Sequence, residues 1–130
     1  MSEPLPPSAL RILVVDDHPD ILAAVRDRLE KSGHTVMEAR TVSAALETLP
    51  RAACDVLVSD IGLPDGTGWE LLETVTPLLS RPLYAIAISG YGEPSDFERS
   101  REAGFRHHLV KPFRPVELLK ALEGAMESGR

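Results

Sequence analysis

Five short runs of apolar residues punctuate the chain, at positions 12–15, 36–39, 56–59, 83–89 and 107–110. The longer segments between them carry apolar residues at helical spacing. Ile21, Leu22, Val25 and Leu29 share one helical face, and Val42, Ala45, Leu46 and Leu49 a second. Leu71, Leu72, Val75 and Leu78 form a third, with Pro77 placed to break or kink its end. Val116, Leu119, Leu122 and Met126 line the last. The fourth helix, over 95–103, offers only Phe97 and Ala103 as anchors, so it is predicted to be the least firmly packed. Gly33 and Gly104 stand where helix C-terminal caps belong.

This fivefold βα alternation predicts an α/β fold: a doubly wound, five-stranded parallel sheet with helices on both faces. The first, third and fourth runs (ILVV, DVLVS, LYAIAIS) are almost wholly apolar, as strands buried on both faces are. The second and fifth, TVMEA and RHHLV, carry polar residues and suit edges. The strand order 2-1-3-4-5, the flavodoxin-like order, satisfies both conditions.

Composition narrows the function. The chain has 130 residues, enough for one domain, and a formal charge of -6, which makes it a poor grip for nucleic acid phosphates or an anionic membrane. Cys54 is the only cysteine, which excludes an internal disulfide and a cysteine-based zinc site. No apolar run approaches the ~20 residues that span a bilayer, and no signal peptide opens the chain. The expectation is a cytoplasmic protein with a proline-rich leader over 1–9, one domain over 10–127 and a tail over 128–130.

In open α/β sheets, ligands bind at the carboxyl ends of the strands, near the switch in strand order. Strand one ends in Asp16 and Asp17, strand three in Asp60, strand four in Ser89 and Gly90, and strand five in Lys111 and Pro112. Three carboxylates on one rim repel one another unless a counter-charge joins them. An oxygen-only donor set with room for water suits Mg²⁺. A lysine and a hydroxyl beside it are suited to a phosphoryl group, and a carboxylate can be the nucleophile that receives it.

The segments ILVVDDHPD, VLVSDIGLPDGTG, AIAISGYG and HLVKPF resemble the receiver domains of bacterial two-component response regulators, over about residues 10–127. The phrases HLVKP, SGYG and SREAG are closest in flavour to receivers of hybrid histidine kinases. The resemblance implies that Asp60 is the phosphoacceptor. It implies that Asp17 holds Mg²⁺ directly and Asp16 largely through water, with the Gly62 backbone carbonyl completing the shell and Mn²⁺ able to substitute. Lys111 then pairs with the phosphate through a loop containing a cis Lys111–Pro112 bond, and Ser89 is the switch hydroxyl. His108 stands where the family carries an aromatic switch residue, and Tyr91 flanks the pocket mouth. The implied partner is a histidine kinase or a histidine phosphotransfer protein, docking near Phe113 and the face around Arg26.

The bland readings are capping roles for Asp16 and Asp17, a loop role for Asp60 and a solvated Lys111; convergence on one rim argues against them. The loop from Gly62 to Gly68 lacks the ending of a phosphate-binding P-loop and reads as a turn shaping the pocket. His18, His34 and His107 read as surface residues, with no pair placed for a tetrahedral metal site. Cys54 reads as a partly buried small hydrophobe and Trp69 as packing. A phosphorylation-independent pseudo-receiver remains an alternative, though such modules lose part of the acid set or the lysine. A haloacid-dehalogenase-type phosphatase needs a second aspartate where Gly62 stands, so multiple turnover is not expected. A flavin carrier of the same topology would meet three carboxylates that repel its phosphate.

Overall fold

A computed structural model describes residues 9–90, 92 and 94–128. The elements follow the chain as β1 (Arg11–Val15), α1 (Pro19–Lys31), β2 (Thr35–Ala39), α2 (Val42–Ala52), β3 (Val56–Asp60), β4 (Gly62–Leu63), β5 (Gly66–Thr67), α3 (Gly68–Val75), β6 (Tyr84–Ser89), α4 (Pro94–Ala103), β7 (His107–Val110) and α5 (Pro115–Ser128). Five strands form one parallel sheet in the order β2-β1-β3-β6-β7. This is the predicted order once β4 and β5, a small antiparallel hairpin after β3, are set aside. The hairpin is the turn expected over Gly62 to Gly68.

Strand periodicity divides the core in two. Ile12, Val14, Val56, Val58, Ile86 and Ile88 face α1 and α5, where they meet Leu22, Leu29, Leu118 and Leu122. Leu13, Val15, Leu57, Ala85 and Ala87 face α2, α3 and α4, against Leu49, Leu71, Val75 and Ala103. The alanines of β6 face the three-helix side, where small residues let the helices approach the sheet.

Local chemistry sets the helix ends. Thr41 accepts from the Ala44 N–H, and the Asp65 carboxylate, reaching across from the hairpin, accepts from Val42 and Ser43 at 2.8 and 3.0 Å. Thr67 and Glu70 form a reciprocal capping box on α3. Gly33 and Gly104 take positive φ, +96° and +113°, just past α1 and α4, as C-terminal caps require.

Four expectations need correction. Helix α3 stops at Val75 and continues as a 3₁₀ turn over Thr76–Leu78, so Leu78 is 63% exposed instead of facing the core. Pro77 lacks an N–H, and its ring blocks the preceding turn. On α5 the buried residues are Leu118, Ala121, Leu122 and Ala125, while Val116 is exposed. The true i, i+3, i+4, i+7 face includes two alanines whose small side chains carry little pattern. On α4, Phe97 is exposed and Ser100 is buried beside Ala103. His34 is buried, and its Nδ1 accepts the Leu10 N–H at 3.1 Å, which satisfies that nitrogen. Burial lowers its pKa below the ordinary histidine value.

Leu57 is fully buried in the three-helix core. Leu57→Ala is expected to lower the unfolding free energy by about 3 kcal/mol in urea titrations, whereas Leu78→Ala changes it by less than about 0.5 kcal/mol.

Candidate functional site

The apolar strands β1, β3 and β6 drive straight into polar residues at one edge of the sheet. β1 ends before Asp16 and Asp17, β3 ends in Asp60, β6 in Ser89, and Lys111 follows β7. Backbone bonds across strand ends hold these positions. The Asp16 N–H donates to the Ala39 carbonyl at 3.1 Å, Ile61 to Ile88 at 2.9 Å, and Lys111 to Ser89 at 2.7 Å. The Lys111–Pro112 peptide is cis, as the resemblance implied.

Asp16 and Asp60 are 1% and 6% exposed, a burial that carboxylates accept only with partners. Lys111 Nζ donates to Asp16 Oδ2 and Asp60 Oδ2, both at 3.0 Å. The Gly62 N–H donates to Asp60 Oδ1 at 3.2 Å. The His18 N–H donates to Asp16 Oδ1 at 2.9 Å, and His18 Nδ1 lies 2.8 Å from the same oxygen. Asp17 is half-buried, and its Oδ1 has no hydrogen-bond partner among the described residues.

Burial pushes the Asp60 carboxyl above its ordinary range and Asp16 adds to this, while the bonds and charge of Lys111 and the Gly62 N–H oppose it. Burial alone would lower Lys111, but its bonds to Asp60 and Asp16 outweigh that and hold it above its usual value. The side-chain bond to Asp16, followed by the charges of Asp17 and Asp16, raises His18. Among the described residues, one ammonium therefore serves a site with three carboxylates.

His18 is on the surface as expected, 60% exposed in its side chain, and its ring Nδ1 contacts the acid cluster. One donor atom from each of Asp16, Asp17, His18 and Asp60 can be chosen so that all lie within 4.8 Å of one another. Glu30 of α1 and Glu38 of β2 hold the Arg26 guanidinium. The α1 residues beside Phe113 are instead Ile21, Ala24 and Arg28, which line a groove of about 550 Å³ with Pro112 and Leu118.

Ser89 is buried at the pocket edge, in register with Val110 of β7. His108 lies on the α4 side of β7, its Nδ1 2.8 Å from Ser100 Oγ and its ring edge-on to Phe97 at 4.7 Å. Trp69 Nε1 donates to the same Ser100 oxygen at 2.8 Å. Trp69 is thus more than packing, and Ser100 escaped the sequence reading. Its one signal was a serine three residues before Ala103 on a helix poor in apolar anchors. Tyr91 lies outside the described residues.

Residues 12–123 match the family model of the response regulator receiver domain. The chain is 37% identical over 113 residues to an uncharacterized 14.6 kDa protein of Leptolyngbya boryana, covering 86% of each. It is 35% identical over 115 residues to the transcriptional regulatory protein KdpE of Mycobacterium tuberculosis, covering 88% of this chain and 50% of that one. Among solved structures it is similar to a CheY-like response regulator receiver domain protein from Methanospirillum hungatei. That match has a TM-score of 0.84 and 32% identity, and covers 92% and 94% of the two chains.

Because burial raises the Asp60 pKa, the native state holds that proton more tightly than the unfolded chain. The site's contribution to stability therefore falls as pH rises from the ordinary carboxylate range through the raised pKa. In chelating buffer near pH 7, Asp60→Asn is expected to melt several degrees above the parent chain. The gap should close as pH drops into the carboxylate range. Calorimetry across pH reads both, and a lower melting temperature for the variant at neutral pH would contradict this account.

Proposed function

We propose, from the premise that this chain belongs to the response regulator receiver domain family, that Asp60 is its phosphoryl acceptor. The observation that carries the reading is the buried Asp60 carboxylate, held by Lys111 and Gly62 among carboxylates that outnumber their cation. A receiver domain works in two-component signalling, and receiver domains generally bind Mg²⁺ at an acidic pocket of this kind.

The donor set fits that ion: oxygen ligands, and a buried Asp17 oxygen with no hydrogen-bond partner among the described residues. Asp17 and Asp60 would hold it directly, Asp16 largely through water and Gly62 through its carbonyl, and Mn²⁺ would substitute. When bound, the ion supplies positive charge that offsets the three carboxylates and the incoming phosphoryl group.

The chain's own residues do the rest. An Asp60 carboxylate oxygen attacks the phosphorus of a partner's phosphohistidine in line. The P–O bond forms as the P–N bond breaks, and the electron pair leaves on the imidazole nitrogen. Lys111, fixed by its backbone bond to Ser89, keeps an ammonium beside the acceptor. Ser89 ends β6 at the pocket and is the hydroxyl that turns toward the new phosphoryl oxygens. The added charge then biases the face of α4 and β7, with His108 as its switch residue. Water later hydrolyses the acyl phosphate, so the domain catalyses its own transfer without multiple turnover.

The partner is a histidine kinase or a histidine phosphotransfer protein. Its docking surface is the apolar groove of Ile21, Ala24, Phe113 and Leu118, which opens beside Lys111. The chain spans about half the length of KdpE, so that regulator's output stays with that protein. With a net charge of -6, the domain over 10–127 makes no direct contact with nucleic acid. Cytoplasmic placement rests on the lone Cys54 and on the finding that no helix among the described residues is long and apolar enough to cross a membrane. Nothing favours the pseudo-receiver alternative, since the acids and the lysine are all in place.

Incubation with acetyl phosphate and Mg²⁺ is expected to add one phosphoryl group, about 80 Da by intact mass. The adduct should vanish in Asp60→Asn and in chelator, and its formation should slow by about tenfold or more in Lys111→Ala. An adduct of equal yield on Asp60→Asn would overturn the assignment.

A further inference from the structure

His18 stands at the pocket yet has no part in accepting the phosphoryl group. It is the N-cap residue of α1, but its side chain makes no capping bond. The ring turns back so that Nδ1 lies 2.8 Å from Asp16 Oδ1 and 3.3 Å from Asp17 Oδ1. The second of these is the buried oxygen that has no hydrogen-bond partner among the described residues. The His18 backbone N–H donates to Asp16 at 2.9 Å and pins the loop in this shape. Exposed over 60% of its side chain, the ring can swing without disturbing the core.

The four donor atoms lie within 4.8 Å of one another. Two ligands of one ion, each bonded at about 2.0–2.2 Å, lie at most ~4.4 Å apart, so the four donors need to draw together only modestly to share one cation. Their chemistry is mixed: three hard carboxylates and one borderline imidazole nitrogen. Such a set does not rank all divalent cations alike. Mg²⁺ loses water reluctantly and prefers oxygen, so it gains little from an imidazole. Affinity for nitrogen donors climbs from Mn²⁺ through Co²⁺ and Ni²⁺.

We propose that His18 Nδ1 is a fourth protein donor in this pocket and makes it a selective site for divalent transition-metal ions over Mg²⁺. The inference rests on the reading that Asp16, Asp17 and Asp60 hold a divalent cation. The simpler role for His18, orienting the Asp16 carboxylate by a hydrogen bond, would affect every cation equally. Glutamine separates the two roles, because it keeps a donor toward Asp16 and offers no imidazole.

Calorimetric titration of the untagged chain near pH 8 with Mg²⁺ and with Ni²⁺ tests this, beside His18→Gln, His18→Ala and Asp17→Asn. The expected result is a fall of about tenfold or more in the ratio of Ni²⁺ to Mg²⁺ affinity in both His18 variants, with Mg²⁺ affinity held within about twofold. The visible absorption band of bound Co²⁺ should move to longer wavelength as oxygen replaces nitrogen. An equal loss for both cations, or an unchanged ratio, overturns the role of His18 and leaves the carboxylate pocket standing. Failure of the parent chain to bind either cation, or full binding by Asp17→Asn, overturns the pocket reading and this inference with it.

Discussion

A shortage of positive charge at one edge of the sheet governs this molecule. Asp16 and Asp60 are almost wholly buried, and one ammonium, Lys111 Nζ, bonds both at 3.0 Å. Removing carboxylates from water is costly, and a single lysine leaves them incompletely compensated. The apolar strands behind them hold the carboxylates in place regardless. β1 and β3 are parallel neighbours buried on both faces, and their register brings their ends level. The sheet's hydrophobic burial thus supports a cluster whose like charges repel one another.

The other side of the sheet edge carries a different device. Trp69 of α3, Ser100 of α4 and His108 of β7 are joined by two hydrogen bonds of 2.8 Å, and Phe97 packs on the histidine ring. This joins three elements through polar groups in a mostly apolar layer. Helix α4 buries only Ser100 and Ala103 on its inner face, so the bonds do work that apolar packing does elsewhere. Hydrogen bonds are directional, and small rearrangements break them where apolar contacts would adapt. A helix held this way rests on directional contacts more than on apolar packing.

Much of the fold was legible because it depends on local pattern. Runs such as ILVV and LYAIAIS are short and apolar, as strands buried on both faces are, and alternating them with amphipathic segments leaves a parallel sheet as the economical solution. Where the reading slipped, the cause was local and small. Ala121 and Ala125 carry too little hydrophobic signal to reveal the true face of α5. Pro77 turned the end of α3 enough to expose Leu78. His34 looks polar in sequence, yet it is buried with its Nδ1 accepting the Leu10 N–H.

The sequence by itself determined which groups exist and at which strand ends they emerge: Asp16, Asp17, Asp60, Ser89 and Lys111. The hydrophobic pattern separates central strands from edges, and strand ends follow from where that pattern stops. Only the tertiary structure decided which of these groups touch. That Lys111 bridges Asp16 and Asp60 across 95 and 51 residues of chain depends on parallel register and on the loop after β7. That His18 Nδ1 meets Asp16, that Arg26 pairs with Glu30 and Glu38, and that Ser100 links Trp69 to His108 are matters of side-chain direction. A linear pattern states spacing along an element, whereas side-chain direction depends on what the neighbouring elements place opposite it.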